Sequence, residues 1–252
     1  MTTIDIQVTV LKENFLYFKM KNIIIGITDC SKYKNYEQWF RKEKNVHVIK
    51  LSYHENNLTD IEKCNGILFT GGEDVNPRLY NQPEYLMYCN PKDIDESRDA
   101  FEWKIMQHAE EKQLPVLGIC RGLQFVNVFF GGTLVPDIPA FGKYNHSKLE
   151  QGKDRKHIIE VDKSSMLFKI LGKKKGKVNS AHHQSADMPG FGLVVNAFSP
   201  DGIIEGMERR EPGGRPYLLL VQWHPERMNE MHSEFSKNIK QSFLSAVRDS
   251  VQ

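Results

Sequence analysis

Cysteine is sparse in this chain of 252 residues: Cys30, Cys64, Cys89 and Cys120 are widely spaced and form no Cys-x-x-Cys pair. That excludes a disulfide framework and a thiolate zinc finger, and it fits a reducing cytoplasm. Net charge is nearly absent too. Lys and Arg number 34 against 32 Asp and Glu, a balance of +2, which argues against nucleic acid or an anionic membrane as the main partner. No apolar run reaches the length of a membrane span. Residues 1–20 carry Asp5 and Glu13 and lack the apolar centre of a secretory signal. They read as an extension, either an extra strand or the product of an early start codon, because Met20-Lys21 directly precedes the first strong strand. Repeats, low-complexity tracts and long linkers are missing as well, so residues 21–252 read as a single domain. The one basic cluster, Lys173-Lys174-Lys175 with Lys177, reads as a solvated loop tip.

What is present is an alternation of apolar strands and amphipathic helices. Strands are expected over 22–28, 46–51, 66–70 and 114–119, each rich in Ile, Val or Leu, as suits parallel strands covered on both faces. Helices are expected over 36–44 and 95–113, with a short polar one over 58–63. In the second, Phe101, Ile105 and Ala109 share a face with Met106 beside them. Beyond Gly132 the pattern shifts to strands over 156–161, 192–198, 203–208 and 217–222, with turn signals at Pro200-Asp201-Gly202 and Gly213-Gly214. A helix over 230–251 closes the chain. The expected fold is α/β: a doubly wound, mostly parallel central sheet flanked by helices, with a small antiparallel extension.

The chemistry centres on Gly118-Ile119-Cys120-Arg121-Gly122. A buried strand leads in and a helix, 123–130, leads out, so Cys120 sits at a sharp strand-to-helix turn. Glycines two before and two after suit a nucleophile elbow, where a side chain at either flank would clash with its neighbours. The positive end of the helix favours thiolate over thiol. The alternative for so short a motif is a buried structural cysteine. A base is available in His224, which ends a strong strand and is followed by Pro225 and Glu226, a carboxylate placed to orient the imidazole. Oxyanion donors are expected from the amide of Arg121 and from Gly71-Gly72 at a neighbouring strand end.

Two further segments carry open readings. Asn179-Ser180-Ala181-His182-His183-Gln184 is either a hydrophilic loop or part of the site; its paired histidines are a weak metal signal, with no third ligand at helix or hairpin spacing. Arg98 and Asp99 open the long helix. They serve either as capping and a solvated ion pair or, through the planar guanidinium of Arg98, as a holder of a substrate carboxylate.

Taken together these blocks resemble the class I glutamine amidotransferase fold, flavodoxin-like in its winding. More narrowly, the chain is similar to gamma-glutamyl hydrolases of the gamma-glutamyl-gamma-aminobutyrate hydrolase type, the C26 peptidases. The residues that carry the resemblance are Gly71 to Tyr80, Asp95 to Asp99 with Glu102, Gly118 to Gln124, Gly131 to Leu134, Asn179 to Gln184 and Gln222 to Glu226, in the family's order from about residue 22 to the end. The resemblance implies Cys120 as nucleophile, His224 as base, Glu226 as its orienter, the backbone amides of Gly72 and Arg121 at the oxyanion, and Gln124 on the gamma-glutamyl group. It also implies that the segment Ser180, His182, His183 and Gln184 holds the α-amino and α-carboxylate groups. No metal and no organic cofactor is expected. Arg121 and the run from Asp74 to Tyr80 favour the hydrolase branch over ammonia-channelling relatives. The expected partner is a small gamma-glutamyl substrate; a homodimer is left open. Two other readings stand beside this one: a glutaminase subunit feeding ammonia to a separate synthetase, and a catalytically silent binding protein on the same fold. Phe125 and Phe129-Phe130 make the elbow helix bulkier than the resemblance leads one to expect. The variable stretch 81–95, with Cys89, is expected on the leaving-group side, so the amine released is undetermined.

Overall fold

The computed structural model describes residues 22–90, 92–210, 213–228 and 233–251. The N-terminal extension therefore lies outside the described residues. Among the described residues eleven strands are formed: β1 (Ile23–Thr28), β2 (Val46–Leu51), β3 (Gly66–Phe69), β4 (Val116–Ile119), β5 (Leu134–Val135), β6 (Arg155–Val161), β7 (Lys175–Ser180), β8 (Ser185–Ala186), β9 (Leu193–Phe198), β10 (Ile204–Arg209) and β11 (Leu218–Val221). The α-helices are α1 (Tyr33–Phe40), α2 (Glu96–Glu111), α3 (Arg121–Phe129), α4 (Met166–Leu171) and α5 (Glu234–Ser250).

Nine strands make one sheet in the order β2-β1-β3-β4-β11-β10-β9-β6-β7, while β5 and β8 pair separately. From β2 to β11 every pairing is parallel; from β11 to β7 every pairing is antiparallel. The antiparallel part is thus continuous with the parallel sheet and about as wide, broader than the small extension expected. Two cores flank the sheet. Ile23, Ile25, Ile27, Leu117, Ile119, Leu219 and Val221 face one with Phe235, Ile239 and Phe243 of α5. Ile67, Phe69, Val116, Leu218 and Leu220 face the other with Phe101, Ile105 and Met106 of α2 and Leu123 and Phe125 of α3. This is the strand period of two, with both faces apolar because both are covered.

Three local expectations are corrected. The lysine cluster is not a simple loop tip: Lys175 begins β7 and pairs with Glu160, and Lys173 pairs with Glu234. Asn179 and Ser180, open in the sequence between a hydrophilic loop and part of the site, end that same strand, because edge pairing with β6 suits their polar neighbours. The short helix α4 is capped by Ser165, whose side chain accepts from Phe168 N, and was hidden by its brevity.

The elbow has the geometry its glycines require. Cys120 adopts φ +55°, ψ −107°, a left-handed, strained conformation. A Cβ on Gly122 would overlap the carbonyl oxygen of Phe69 in β3, and one on Gly118 would meet Leu220 and the Gly122 carbonyl. Backbone cannot move aside as a side chain tip can. Gly122→Ala is therefore expected to destabilise the domain by about 3 kcal/mol, the upper end for overpacking, lowering the thermal midpoint by roughly 6–12 °C. A variant melting within a degree or two of the wild type in calorimetry contradicts that packing.

Candidate active site

Four adjacent parallel strands deliver the site at their carboxyl ends, where open α/β sheets place ligands. A cavity of about 310 Å³ is lined by Cys30 and Lys32 after β1, Gly71 to Asp74 after β3, Cys120 after β4 and His224 after β11, with Tyr36, Asp93, Lys148, Ala181 and His183 around them. Cys120 and His224 meet across Gly71: a Cβ built there would lie 3.4 Å from Cys120 Cβ and 3.0 Å from His224 Cε1. The two residues are far apart in sequence, yet Cys120 N donates to Val221 O, locking the elbow to the strand that carries the histidine.

The histidine is held on all sides. Asn179 grips its backbone twice, accepting from His224 N at 3.0 Å and donating to His224 O at 3.0 Å. Ser236 of α5 donates to Pro225 O, and Trp223 Nε1 donates to Phe235 O. Its Nδ1 lies 2.9 Å from Glu226 Oε1, and the Glu226 side chain is 1% exposed. Burial alone would lower the imidazole pKa. The Glu226 carboxylate, together with charge and hydrogen bonding from Cys120, overcomes it and lifts His224 to about 9. A thiol, an imidazole and a carboxylate thus stand in line, as nucleophilic catalysis by cysteine requires.

The loop after β3 separates its two glycines. Gly71 N donates to the Tyr36 hydroxyl at 2.9 Å, so that amide is spent. Gly72 has φ +145°, and a Cβ there would drive into the Arg98 guanidinium. Of the pair, Gly72 is the one with its amide not committed to Tyr36. Tyr36 is a site residue with no mark in the sequence, since it lies within an ordinary amphipathic helix.

Arg98 is a correction. It is 1% exposed and does not line the cavity. Its guanidinium donates to Gly71 O and to Thr70 Oγ1, each at 3.1 Å, to Glu102 at 2.9 Å, and to Glu73. Asp99 is likewise no solvated partner: with Glu102 it receives the buried Arg121 side chain, each at 2.5 Å. The helix cap is instead Asp95, accepting from Ser97 and Arg98 amides. The alternation of charge along α2 faces inward and clamps both the Gly71-Gly72 turn and the elbow.

The segment 180–184 divides. Only Ala181 and His183 line the cavity. Ser180 is buried and donates to His146 O at 2.7 Å. His182 turns the other way, toward His146 and Glu205. Gln184 donates to Cys89 Sγ, and Gln124 donates to Gln184 O and Gln222 Oε1. Ser180, His182 and Gln184 therefore build the wall rather than face the cavity, because successive residues of an extended segment point to opposite sides, and Gln124 of α3 is likewise absent from the cavity lining. Of the 81–95 stretch Asp93 reaches the cavity, and Cys89 stands behind it against Gln184. His183 bridges Asp74, at 2.8 Å, and Asp137, at 3.3 Å. The Asp74 hydrogen bond, outweighing burial, raises its pKa to about 9. Asp74 keeps its second oxygen, Oδ2, buried without a partner.

This sheet, with its elbow and its strand-end histidine, has the architecture of the class I glutamine amidotransferase domains. The glutaminase domain of Trypanosoma brucei CTPS with bound acivicin matches with a TM-score of 0.61 at 14% identity, over 90% of this chain and 94% of that one. A glutamine amidotransferase from Thermotoga maritima matches at 0.58 and 13% identity, over 91% and 96%. Residues 46–226 match the Peptidase C26 family, and the chain belongs to it. Among relatives, the glutamine amidotransferase-like protein YvdE of Lactococcus lactis is 37% identical over 79% of this chain and 80% of its own length. Gamma-glutamyl-gamma-aminobutyrate hydrolase PuuD of Escherichia coli is 28% identical over 91% and 95%. Family membership makes the chain a hydrolase or a glutamine amidotransferase-like enzyme. Among the described residues no helix is long and apolar enough to cross a membrane.

Proposed function

We propose that the chain hydrolyses the gamma-glutamyl amide bond of a small gamma-glutamyl-amine through a thioester on Cys120. The observation that carries this reading is the convergence of Cys120, the Glu226-bound His224 and the Gly72 loop on one cavity. Cys120 thiolate attacks the δ-carbonyl, and the oxyanion lies between the amides of Gly72 and Arg121. The carbon–nitrogen bond breaks as His224 passes its proton to the departing amine, leaving the gamma-glutamyl thioester. Water, deprotonated by His224, then releases glutamate and restores the thiol. No step in this sequence calls on a cofactor.

The α-ammonium group of the substrate has a matching carboxylate in Asp74, a residue of the cavity lining whose Oδ2 is left without a hydrogen-bond partner. The lysines at its rim, Lys32 and Lys148, suit the α-carboxylate. Loss of one charged hydrogen bond costs about 1.5–3 kcal/mol, so Asp74→Asn is expected to raise KM about 10- to 100-fold with little change in kcat. A fall confined to kcat would place Asp74 elsewhere in the reaction.

The volume, about 310 Å³, is at the small end of ligand clefts and favours a compact amine. The direct experiment is a panel of gamma-glutamyl amides scored by glutamate release, with glutamine scored by ammonia. Amides of small amines such as gamma-aminobutyrate are expected to exceed glutamine in kcat/KM by at least about tenfold, or 1.4 kcal/mol. Glutamine turned over equally well, and faster with a partner protein, would favour the glutaminase reading suggested by the relatives' names. Turnover of none of them would leave the silent binding protein.

A further inference from the structure

Behind the cavity wall, His146, His157, His182 and Glu205 converge. Glu205, on β10, is fully buried, and neither carboxylate oxygen has a hydrogen-bond partner. Around its Oε1 stand His157 Nε2 at 3.0 Å, His146 Nδ1 at 3.4 Å and His182 Nε2 at 3.8 Å. None of these three nitrogens makes a hydrogen bond. Among the described residues, the ion-pairing groups around the Glu205 carboxylate are these imidazoles and no Lys or Arg.

The far side of two rings fixes where their protons sit. His182 Nδ1 lies 2.9 Å from the Gln184 carbonyl oxygen, an acceptor only, so Nδ1 carries the proton and Nε2 is bare. His146 Nε2 lies 3.2 and 3.3 Å from the two oxygens of Asp201, a carboxylate itself held by Ser199 Oγ and Tyr144 N. That nitrogen carries the proton, so in the neutral ring Nδ1 is bare. Bare nitrogens aimed at a bare carboxylate repel unless a cation lies between them. The arrangement of outer partners, one carbonyl and one carboxylate each taking the remote ring N–H, is the one that orients histidines as metal ligands.

We propose that His146 Nδ1, His182 Nε2 and Glu205 bind a divalent transition metal, zinc by its ligand set, with His157 as the fourth donor. The ligand atoms of the first three all lie within 4.8 Å of one another. Four ligands at zinc bond lengths of 2.0–2.1 Å stand roughly 3.4 Å apart in a tetrahedron, and the three distances from Glu205 bracket that value. Three imidazoles and a carboxylate without a thiolate suit zinc. A cleft lined by His146, His157, Tyr144, Asp154 and Asp201 provides the way in. His182 sits between Ala181 and His183, both of which line the reaction cavity. The metal is thus a structural staple beneath that wall, joining β6, β10 and the 146 and 182 loops, and it takes no part in the reaction assigned to Cys120.

The test is metal content of the whole chain. Protein made in zinc-supplemented medium and passed through EDTA should retain about one zinc per chain by mass spectrometry of the elements. Metal-free protein given Co(II) should develop the intense visible bands of tetrahedral cobalt, and added zinc should raise its thermal midpoint by roughly 5 °C or more. Glu205→Gln and His182→Ala should lose all three signals, while His108→Ala, on α2, keeps them. Metal-free wild type that takes up neither ion and melts unchanged in their presence overturns the proposal and leaves a proton between Glu205 and an imidazole. Because that measurement is made on the wild type, it decides the matter even where a variant fails to fold.

Discussion

Cys120→Ala is expected to abolish glutamate release, lowering kcat/KM by at least about 10⁴-fold, the scale on which loss of a nucleophile acts. The substitution removes one sulfur from a site where the backbone already holds φ +55°, and the enclosing groups remain: Gly72, the Asn179-held His224, and Asp74. Substrate affinity should therefore stay near that of the wild type, which equilibrium binding of an uncleaved analogue measures. Chemical labelling gives a second view. Burial pushes the Cys64 and Cys89 thiols up to about 12, and raises Cys30 as well. Iodoacetamide at neutral pH should thus modify Cys120 ahead of the others, and a glutamate analogue should block it. Wild-type rates in the alanine variant would end the thioester mechanism.

Glu226→Gln is expected to lower kcat/KM about 10⁴-fold, the scale seen when the acid that orients a catalytic histidine is neutralised. It should also move the pH profile. Although burial alone would lower the pKa of His224, the Glu226 carboxylate and Cys120 outweigh it and raise the pKa to about 9. Below that pH the ring is imidazolium and can hand a proton to the departing amine; above it the proton is gone. The wild-type rate should fall on the alkaline side near pH 9, and the variant's alkaline limb should shift acidward by roughly one unit or more as the stabilising charge is lost. The same sign holds for stability. A histidine whose folded pKa exceeds its unfolded value of about 6.5 stabilises fully below 6.5 and loses that contribution as pH rises to 9. An alkaline limb unmoved by the substitution would show that Glu226 does not set the imidazole's charge.

Most of the parallel half was legible because its signals are local. Ile23–Thr28 and Val116–Ile119 are continuous apolar runs, and Gly118 and Gly122 mark the elbow by spacing alone. The histidine with its acid was legible because Pro225 fixes the turn that lets Glu226 reach back two residues. What escaped was anything decided by where a side chain points once the sheet has formed. Arg98 read as an open guanidinium at a helix start, yet α2 packs that face against the elbow. His182 and His183 read alike, but their neighbouring positions send one to the cavity and the other to Glu205, which lies on a different strand 23 positions further along. Tyr36 and Asn179 act through the backbone of residues remote in sequence, and no spacing rule reports such contacts. The width of the antiparallel half escaped for the same reason: turn signals count strands but do not say which sheet they join.

The place of β11 in the sheet has a temporal consequence. It docks beside β4 about a hundred residues after the elbow strand has been made, and only once the four antiparallel strands have been laid down. Contacts of such long sequence separation form late. During synthesis the sulfur waits without a proton acceptor while the ribosome still holds the last quarter of the chain. A translation product that stops short of β11 lacks His224 and Glu226, and so lacks the imidazole and carboxylate of the proposed site.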